Sequence, residues 1–273
     1  VWQADFRLLI AIIKDLEDRL NVEHDTALFG VQCILLIEDS IHYASHFLPM
    51  LYSEVLRQSK DLISEGLSLA HRSLRMRARP KILLSSTWEE AWEYFSKYEQ
   101  SIIGVISDVA FPREGEVDPR AGLEFARRVR ERYFDIPVLL QSTDAGLASE
   151  ATAAGALFLT KNSPNLEDEF RAILREYFAF GDFVFRARDG QEVGRATDLK
   201  SLEEELHLVP DESLLYHAAR NDFSNWLKAR TEFRLAFSLR PRKISDYDSV
   251  AGLRADLIEK LHEHRSVRQR GLL

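Results

Sequence analysis

The stretch Ile102-Ile103-Gly104-Val105-Ile106-Ser107-Asp108-Val109-Ala110-Phe111-Pro112 decides the fold. A run of apolar, largely β-branched residues reads as a strand buried on both faces. It ends in a carboxylate and runs into a proline-marked loop. Three other short apolar runs have the same form. Ile34-Leu35-Leu36-Ile37 ends in Glu38-Asp39, Pro137-Val138-Leu139-Leu140-Gln141 in Ser142-Thr143, and Leu157-Phe158-Leu159-Thr160 in Lys161. In an open parallel sheet the carboxyl ends of the strands converge on the crevice where ligands bind.

Around these runs the pattern alternates between short strands and longer helical periods, which argues for βα units about a parallel sheet. The periods predict strands near 32–37, 81–86, 102–107, 136–141 and 156–160, and helices near 41–78, 88–98, 121–133, 146–154 and 166–178. As one helix, 41–78 would run roughly 57 Å at about 1.5 Å per residue, too long to lie wholly on five strands. Leu51, Val55, Leu62, Leu69 and Leu74 give it a broken apolar stripe, and Gly66 is a place for a kink. Its basic end, residues 71–79, reads either as a solvated terminus with well-placed cations or as a dimer or partner surface.

Ahead of the sheet, residues 4–20 read as an amphipathic helix with Phe6, Leu9, Ile13, Leu16 and Leu20 on one stripe. Asn21 to Thr26 and Gly30 read as a linker. After Phe180-Gly181 the pattern changes to a small hairpin around Asp189-Gly190. Helices then follow near 199–207, 211–218, 222–238 and 248–265. The expected domains are 1–30, a helix and linker; 31–179, the α/β domain; and 180–273, a hairpin with a mainly helical connector.

The chain has 273 residues, a net charge of -8, 45% hydrophobic and 29% charged residues, and one cysteine. That is the composition of an ordinary globular protein. The acidic balance argues against a general nucleic-acid binder, and no DNA-binding motif appears. Cys33 cannot form an internal disulfide, which suits a plain buried thiol in a reducing cytoplasm. No apolar run approaches a membrane span. The start at Val1, without methionine or a signal-peptide pattern, reads as an excised fragment.

The residues that carry chemistry are those at the strand ends. Magnesium takes near-octahedral oxygen ligation, often from one or two carboxylates with water and phosphate oxygens. Glu38, Asp39 and Asp108 supply carboxylates, and the backbone carbonyl of Ala110 could add a ligand. Asp108 is placed as a nucleophile for a carboxyl-phosphate. Ser142 can donate to a phosphoryl oxygen, and Lys161 is a mobile point charge suited to phosphate.

With these residues in view, 31–178 resembles a two-component receiver domain. The pieces that carry the resemblance are Ile37-Glu38-Asp39-Ser40, Ser107-Asp108-Val109-Ala110-Phe111-Pro112, Ala121-Gly122-Leu123-Glu124-Phe125, Pro137-Val138-Leu139-Leu140-Gln141-Ser142 and Gly155-Ala156 through Lys161. The resemblance implies a flavodoxin-like, doubly wound (βα)5 fold, here with an extended first helix. It implies that Asp108 accepts phosphate with Mg²⁺ bound by Glu38 and Asp39, while Ser142 and Lys161 sense the phosphoryl group. Phe158 falls where receivers place an aromatic switch residue, although packing is an equal reading of it. The implied phosphodonor is a histidine kinase or a small molecule, and the implied output is control of adjacent domains of the same polypeptide. Asn162 stands where receivers usually have proline after the lysine, which predicts altered loop geometry.

More widely, Glu17-Asp18-Arg19-Leu20-Asn21-Val22-Glu23-His24-Asp25, the long first helix and Asp222-Phe223-Ser224-Asn225-Trp226-Leu227 resemble a particular setting. It is the N-terminal part of bacterial phosphoenolpyruvate synthase/pyruvate phosphate dikinase-like proteins with fused receiver modules. On that resemblance residues 1–20 end a preceding module, and this fragment is itself no enzyme. Two other functions compete: a pseudo-receiver acting as an assembly scaffold, and an aspartate-nucleophile phosphohydrolase. The hydrolase usually needs a second acid two residues after its nucleophile, where Ala110 stands. His217, Asn221, Asp222 and Trp226 sit at helical spacings and read first as caps and packing. His262 and His264 are expected to face solvent.

Overall fold

A computed structural model describes residues 6–64, 78–239 and 246–270. The chain divides into two compact units between Ile173 and Leu174. In the first unit, α1 (Phe6–Phe29) leads to β1 (Cys33–Ile37), α2 (Ile41–Ser64), β2 (Lys81–Ser85), α3 (Trp88–Lys97) and β3 (Ile102–Asp108). A hairpin, β4 (Phe111–Arg113) and β5 (Glu116–Asp118), precedes α4 (Ala121–Arg132) and β6 (Val138–Ser142). Then come a 3₁₀ turn (Ala145–Leu147), α5 (Ala148–Ala153), β7 (Leu157–Thr160) and α6 (Leu166–Tyr177), the last crossing the division between units.

The five long strands form one parallel sheet in the order β2-β1-β3-β6-β7. The parallel α/β sheet is the one expected from the strand pattern, and its order is the flavodoxin-like one that the resemblance implies. Helices cover both faces, so β1 is buried along its whole length. On one face Leu35, Ile37, Val105 and Leu140 pack with Trp88 and Phe95 of α3 and Phe125 of α4. On the other, Phe47 of α2 meets Phe170 of α6 at 5.6 Å between ring centroids. Leu51 and Val55 are fully buried. The apolar stripe of α2 is therefore covered, at these positions, within its own unit. Residues 65–77, with Gly66, Leu69, Leu74 and most of the basic end, lie outside the described residues.

In the first unit three features differ from the sequence expectation. The stretch Asn21 to Thr26 is helix rather than linker. Asn21 Nδ2 and Thr26 Oγ1 donate to the carbonyls of Glu17 and Val22, four residues back, so these polar side chains bond along the helix. The helix stops at Gly30, whose φ of 66° supplies the left-handed C-terminal turn. The supposed loop after Asp108 is the β4–β5 hairpin. Its turn residues, Glu114 and Gly115, both have positive φ, the geometry a two-residue hairpin needs.

The α1 helix also faces the opposite way from its apolar stripe. Asp18 is 0% exposed and accepts from Arg79 at 2.9 and 2.7 Å, from the Tyr52 hydroxyl at 2.9 Å and from Ile82 N at 2.9 Å. The last of these caps a backbone amide of the edge strand β2. Lys81 pairs with Asp25 at 2.7 Å. Buried charges require such partners, and here they fix which face of α1 turns inward.

The second unit holds the hairpin β8 (Phe183–Arg186) and β9 (Glu192–Ala196), followed by α7 (Leu199–Leu208), α8 (Asp211–Ala219), α9 (Asp222–Ala229), α10 (Phe233–Leu239) and α11 (Val250–Gln269). The single helix expected over 222–238 is broken after Ala229, with Thr231 at φ 63°. Arg230 leaves the helical path to donate to the carbonyls of Ala179 and Gly181, and it stacks 3.6 Å over the Trp226 ring. His264, expected in solvent, is mostly covered and pairs with Glu232 at 2.8 Å. No helix among the described residues is long and apolar enough to cross a membrane.

Candidate functional site

Strand order puts the site where the chain's winding direction reverses. From β1 the chain passes to β2 on one side and to β3 and onward on the other, which opens a crevice at the carboxyl ends of β1 and β3. Glu38 and Asp39 leave β1 there, and Asp108 is the last residue of β3. Each of the three offers a carboxylate oxygen, and these oxygens lie within 4.8 Å of one another. Glu38 is buried, Asp108 half-buried and Asp39 exposed.

Lys161 reaches in from the end of β7. Its Nζ lies 2.7 Å from Glu38 Oε2 and 2.5 Å from Asp108 Oδ2, bridging the two acids. The same ammonium sits 4.1 Å from the centroid of the Tyr43 ring, at the start of α2. Asp108 Oδ1 accepts from Val109 N at 2.6 Å. The aspartate is thus oriented by an ammonium on one oxygen and by the main chain on the other.

Burial pushes the Glu38 carboxyl up, to about 7 from an ordinary 4.5; the Lys161 ammonium pulls it down, and the neighbouring Asp108 raises it further. The sign follows. A folded-state value above the unfolded one favours the protonated form, so this contribution to stability is full below about 4.5 and lost as pH rises through about 7. A cation bound among the carboxylates would displace that proton. Calorimetric titration with Mg²⁺ at pH 6 should therefore release protons and give heats that depend on the buffer's ionisation enthalpy. The dependence should fade above pH 8. Buffer-independent heats at pH 6 would contradict the raised carboxyl.

Two further groups suit a cation. Gln141 Nε2 approaches Glu38 Oε2 at 3.4 Å, while its Oε1 is buried with no hydrogen-bond partner. Ala110 lies in the turn beyond Asp108, its amide 3.5 Å from Asp108 Oδ1. Carboxylate and carbonyl oxygens are the donors that Mg²⁺ prefers.

The remaining expected residues are placed by register. Asp108 lies opposite Gln141, and Ser142 one position further along β6, opposite Thr160. Ser142 Oγ accepts from Asp144 N at 3.1 Å. Phe158 is half-buried opposite Leu140 and packs on the core. After Lys161-Asn162 the chain turns with Ser163 N donating to Thr160 O at 3.0 Å, and all described peptide bonds are trans.

Three contributors were not singled out from sequence. Tyr43 shields the lysine, Gln141 lies under Glu38, and Gly122 lets α4 approach the end of β3. A Cβ on Gly122 would lie 2.2 Å from the carbonyl oxygen of Asp108. Only the last left a readable trace, as a glycine in the first turn of a helix. By contrast, His217, Asp222 and Trp226 are spent internally. His217 Nε2 accepts from Arg186 N, its Nδ1 pairs with Asp222, and Trp226 Nε1 donates to Gly181 O.

No family model matches the chain, and no curated protein matches it. Several solved structures are similar to it, among them the following two. The Vibrio cholerae chemotaxis protein CheY4 is 19% identical, covering 54% of this chain and 98% of its own at a TM-score of 0.35. A response regulator receiver domain protein from Clostridium thermocellum is 17% identical, covering 54% and 94% at a TM-score of 0.38. At such scores the fold is read from the strand order and register of this chain, and the chemistry from the geometry of its strand-end site.

Proposed function

We propose that the first unit is a phosphoacceptor receiver module, with Asp108 as the acceptor. The observation that carries this is the set of three carboxylates at the ends of β1 and β3, with Lys161 bridging Glu38 and Asp108. A carboxylate oxygen of Asp108 would attack the phosphorus of a phosphodonor, a histidine kinase or a small acyl phosphate. The bond from phosphorus to the donor breaks, its electron pair leaves with the donor, and an aspartyl phosphate forms.

Glu38, Asp39 and Asp108, with the Ala110 carbonyl, would hold Mg²⁺, which offsets charge on the transferring group when bound. Lys161 would exchange its contact with Asp108 Oδ2 for a phosphoryl oxygen, keeping its bond to Glu38. Ser142 would turn its hydroxyl from the Asp144 amide to donate to another oxygen, and Phe158, two residues before Ser142's partner Thr160 on β7, would be the aromatic that responds. The output would be control of adjacent domains, including a phosphoenolpyruvate/pyruvate phosphotransferase-like region. That last part rests on motif resemblance alone, and a homodimer surface along 41–78 on the apolar stripe and basic end of that stretch of sequence.

One observation favours a second reading, a pseudo-receiver that serves only as an assembly scaffold: Asn162 stands where receivers usually have proline after the lysine. Beryllium fluoride separates the two. With Mg²⁺ present it should raise the thermal midpoint of the wild-type chain by several degrees and leave Asp108→Asn unchanged. No shift in either protein would favour the scaffold.

A further inference from the structure

The inverted setting of α1 leaves an apolar seam in solvent. Phe6, Leu9, Ile13, Leu16 and Leu20 recur at alternating three- and four-residue steps, the a/d pattern of a coiled coil. All five are between 40% and 82% exposed, with Ile12 exposed beside them. The opposite stripe, with Ala11, Asp18 and Val22, is the one that is buried. The helix cannot roll to cover the seam, because that would extract Asp18 from Arg79, Tyr52 and Ile82 N.

We propose that this seam is a self-association surface and that its occupant is α1 of a second copy, paired in parallel as a two-stranded coiled coil. Three observations select that occupant. The exposed seam amounts to roughly 700 Å² per copy, somewhat more than the largest apolar patch of about 300–600 Å² on an ordinary monomer, and a pair would bury at most on the order of 1,400 Å², the size of a standard interface. Ile13 at an a position between Leu9 and Leu16 at d positions is the arrangement that favours two parallel strands. The flanking charges are already paired along the helix, Lys14 with Glu17 at 2.6 Å and Arg19 with Asp15 at 3.0 Å, so no uncompensated charge opposes the approach. The surface is separate from the strand-end site and does not depend on its chemistry.

Sedimentation equilibrium of the whole chain tests this. The wild type should sediment with the mass of two chains at micromolar concentration. The double variant Ile13→Glu, Leu16→Glu should halve that mass while keeping the wild-type near-ultraviolet circular dichroism. A Leu20→Cys variant should form an interchain disulfide on mild oxidation, Cys33 being buried and out of reach. A single-chain mass for the wild type, or a two-chain mass for the glutamate variant, would overturn the pairing. A dimer that Leu20→Cys fails to cross-link would overturn the parallel register.

Discussion

Asp18→Ala should destabilise the first unit by about 3–5 kcal/mol, the usual cost of leaving one partner of a buried ion pair uncompensated. For a unit of this size that is a fall of roughly 10 °C or more in thermal midpoint. The aspartate is fully buried, and the Arg79 side chain beside it is nearly so. Removing the carboxylate leaves the guanidinium with only the Pro80 carbonyl at 3.2 Å and the more distant Glu17 carboxylate at 3.9 Å, and leaves the Ile82 amide and the Tyr52 hydroxyl without this acceptor. Lys81 keeps Asp25 at 2.7 Å, so the damage centres on Arg79 and the β2 edge. A double replacement, Asp18→Leu with Arg79→Met, should recover much of the loss, since the orphaned charge goes with its partner. Urea unfolding measures both. A loss below about 1 kcal/mol for Asp18→Ala would mean that α1 is not held as described.

Gly122→Ala should also be costly, and it reports on the site. The new Cβ would meet Asp108 O at 2.2 Å and Val109 Cα at 2.9 Å, main-chain atoms with no rotamer to yield. The helix is tied to the same place by Gly122 N donating to Val109 O at 2.9 Å. Either α4 or the end of β3 must shift, at about 1–3 kcal/mol for an overpacked contact. The shift moves the backbone that carries Asp108, so acceptance of phosphate should slow together with the loss of stability. Gly115→Ala is the control. Nothing lies within 4 Å of its Cβ, and its φ of +85° makes the cost one of backbone strain alone. It should lower stability by about 1 kcal/mol and leave the site untouched. If Gly122→Ala were no worse than Gly115→Ala in both measurements, the close approach of α4 to Asp108 would be wrong.

The sheet was legible because its central strands are buried on both faces and all its strands announce themselves as short apolar runs. Glu38, Asp39, Asp108 and Lys161 were legible for the same reason, since each follows such a run and parallel strands bring those ends together. Tyr43 and Gln141 were not. Their parts depend on how α2 starts and how β6 lies in register with β3, which spacing alone does not reveal. The direction of α1 was misleading in a specific way. Its heptad stripe argues for burial, yet one buried carboxylate with four donors outweighs five apolar side chains in choosing the inward face. The β4–β5 hairpin was hidden by three-residue strands and a Glu-Gly turn. The break after Ala229 was hidden because the helical period continues through it, while Arg230 is drawn to carbonyls distant in sequence.

The most direct measurement is intact mass after incubation of the chain with Mg²⁺ and acetyl phosphate, for wild type and Asp108→Asn side by side. The expected result is one added phosphoryl group on the wild type, lost on chelating Mg²⁺ beforehand, and none on Asp108→Asn. An adduct of equal yield on Asp108→Asn, or no adduct on a folded wild-type chain, would contradict the assignment of Asp108 as phosphoacceptor.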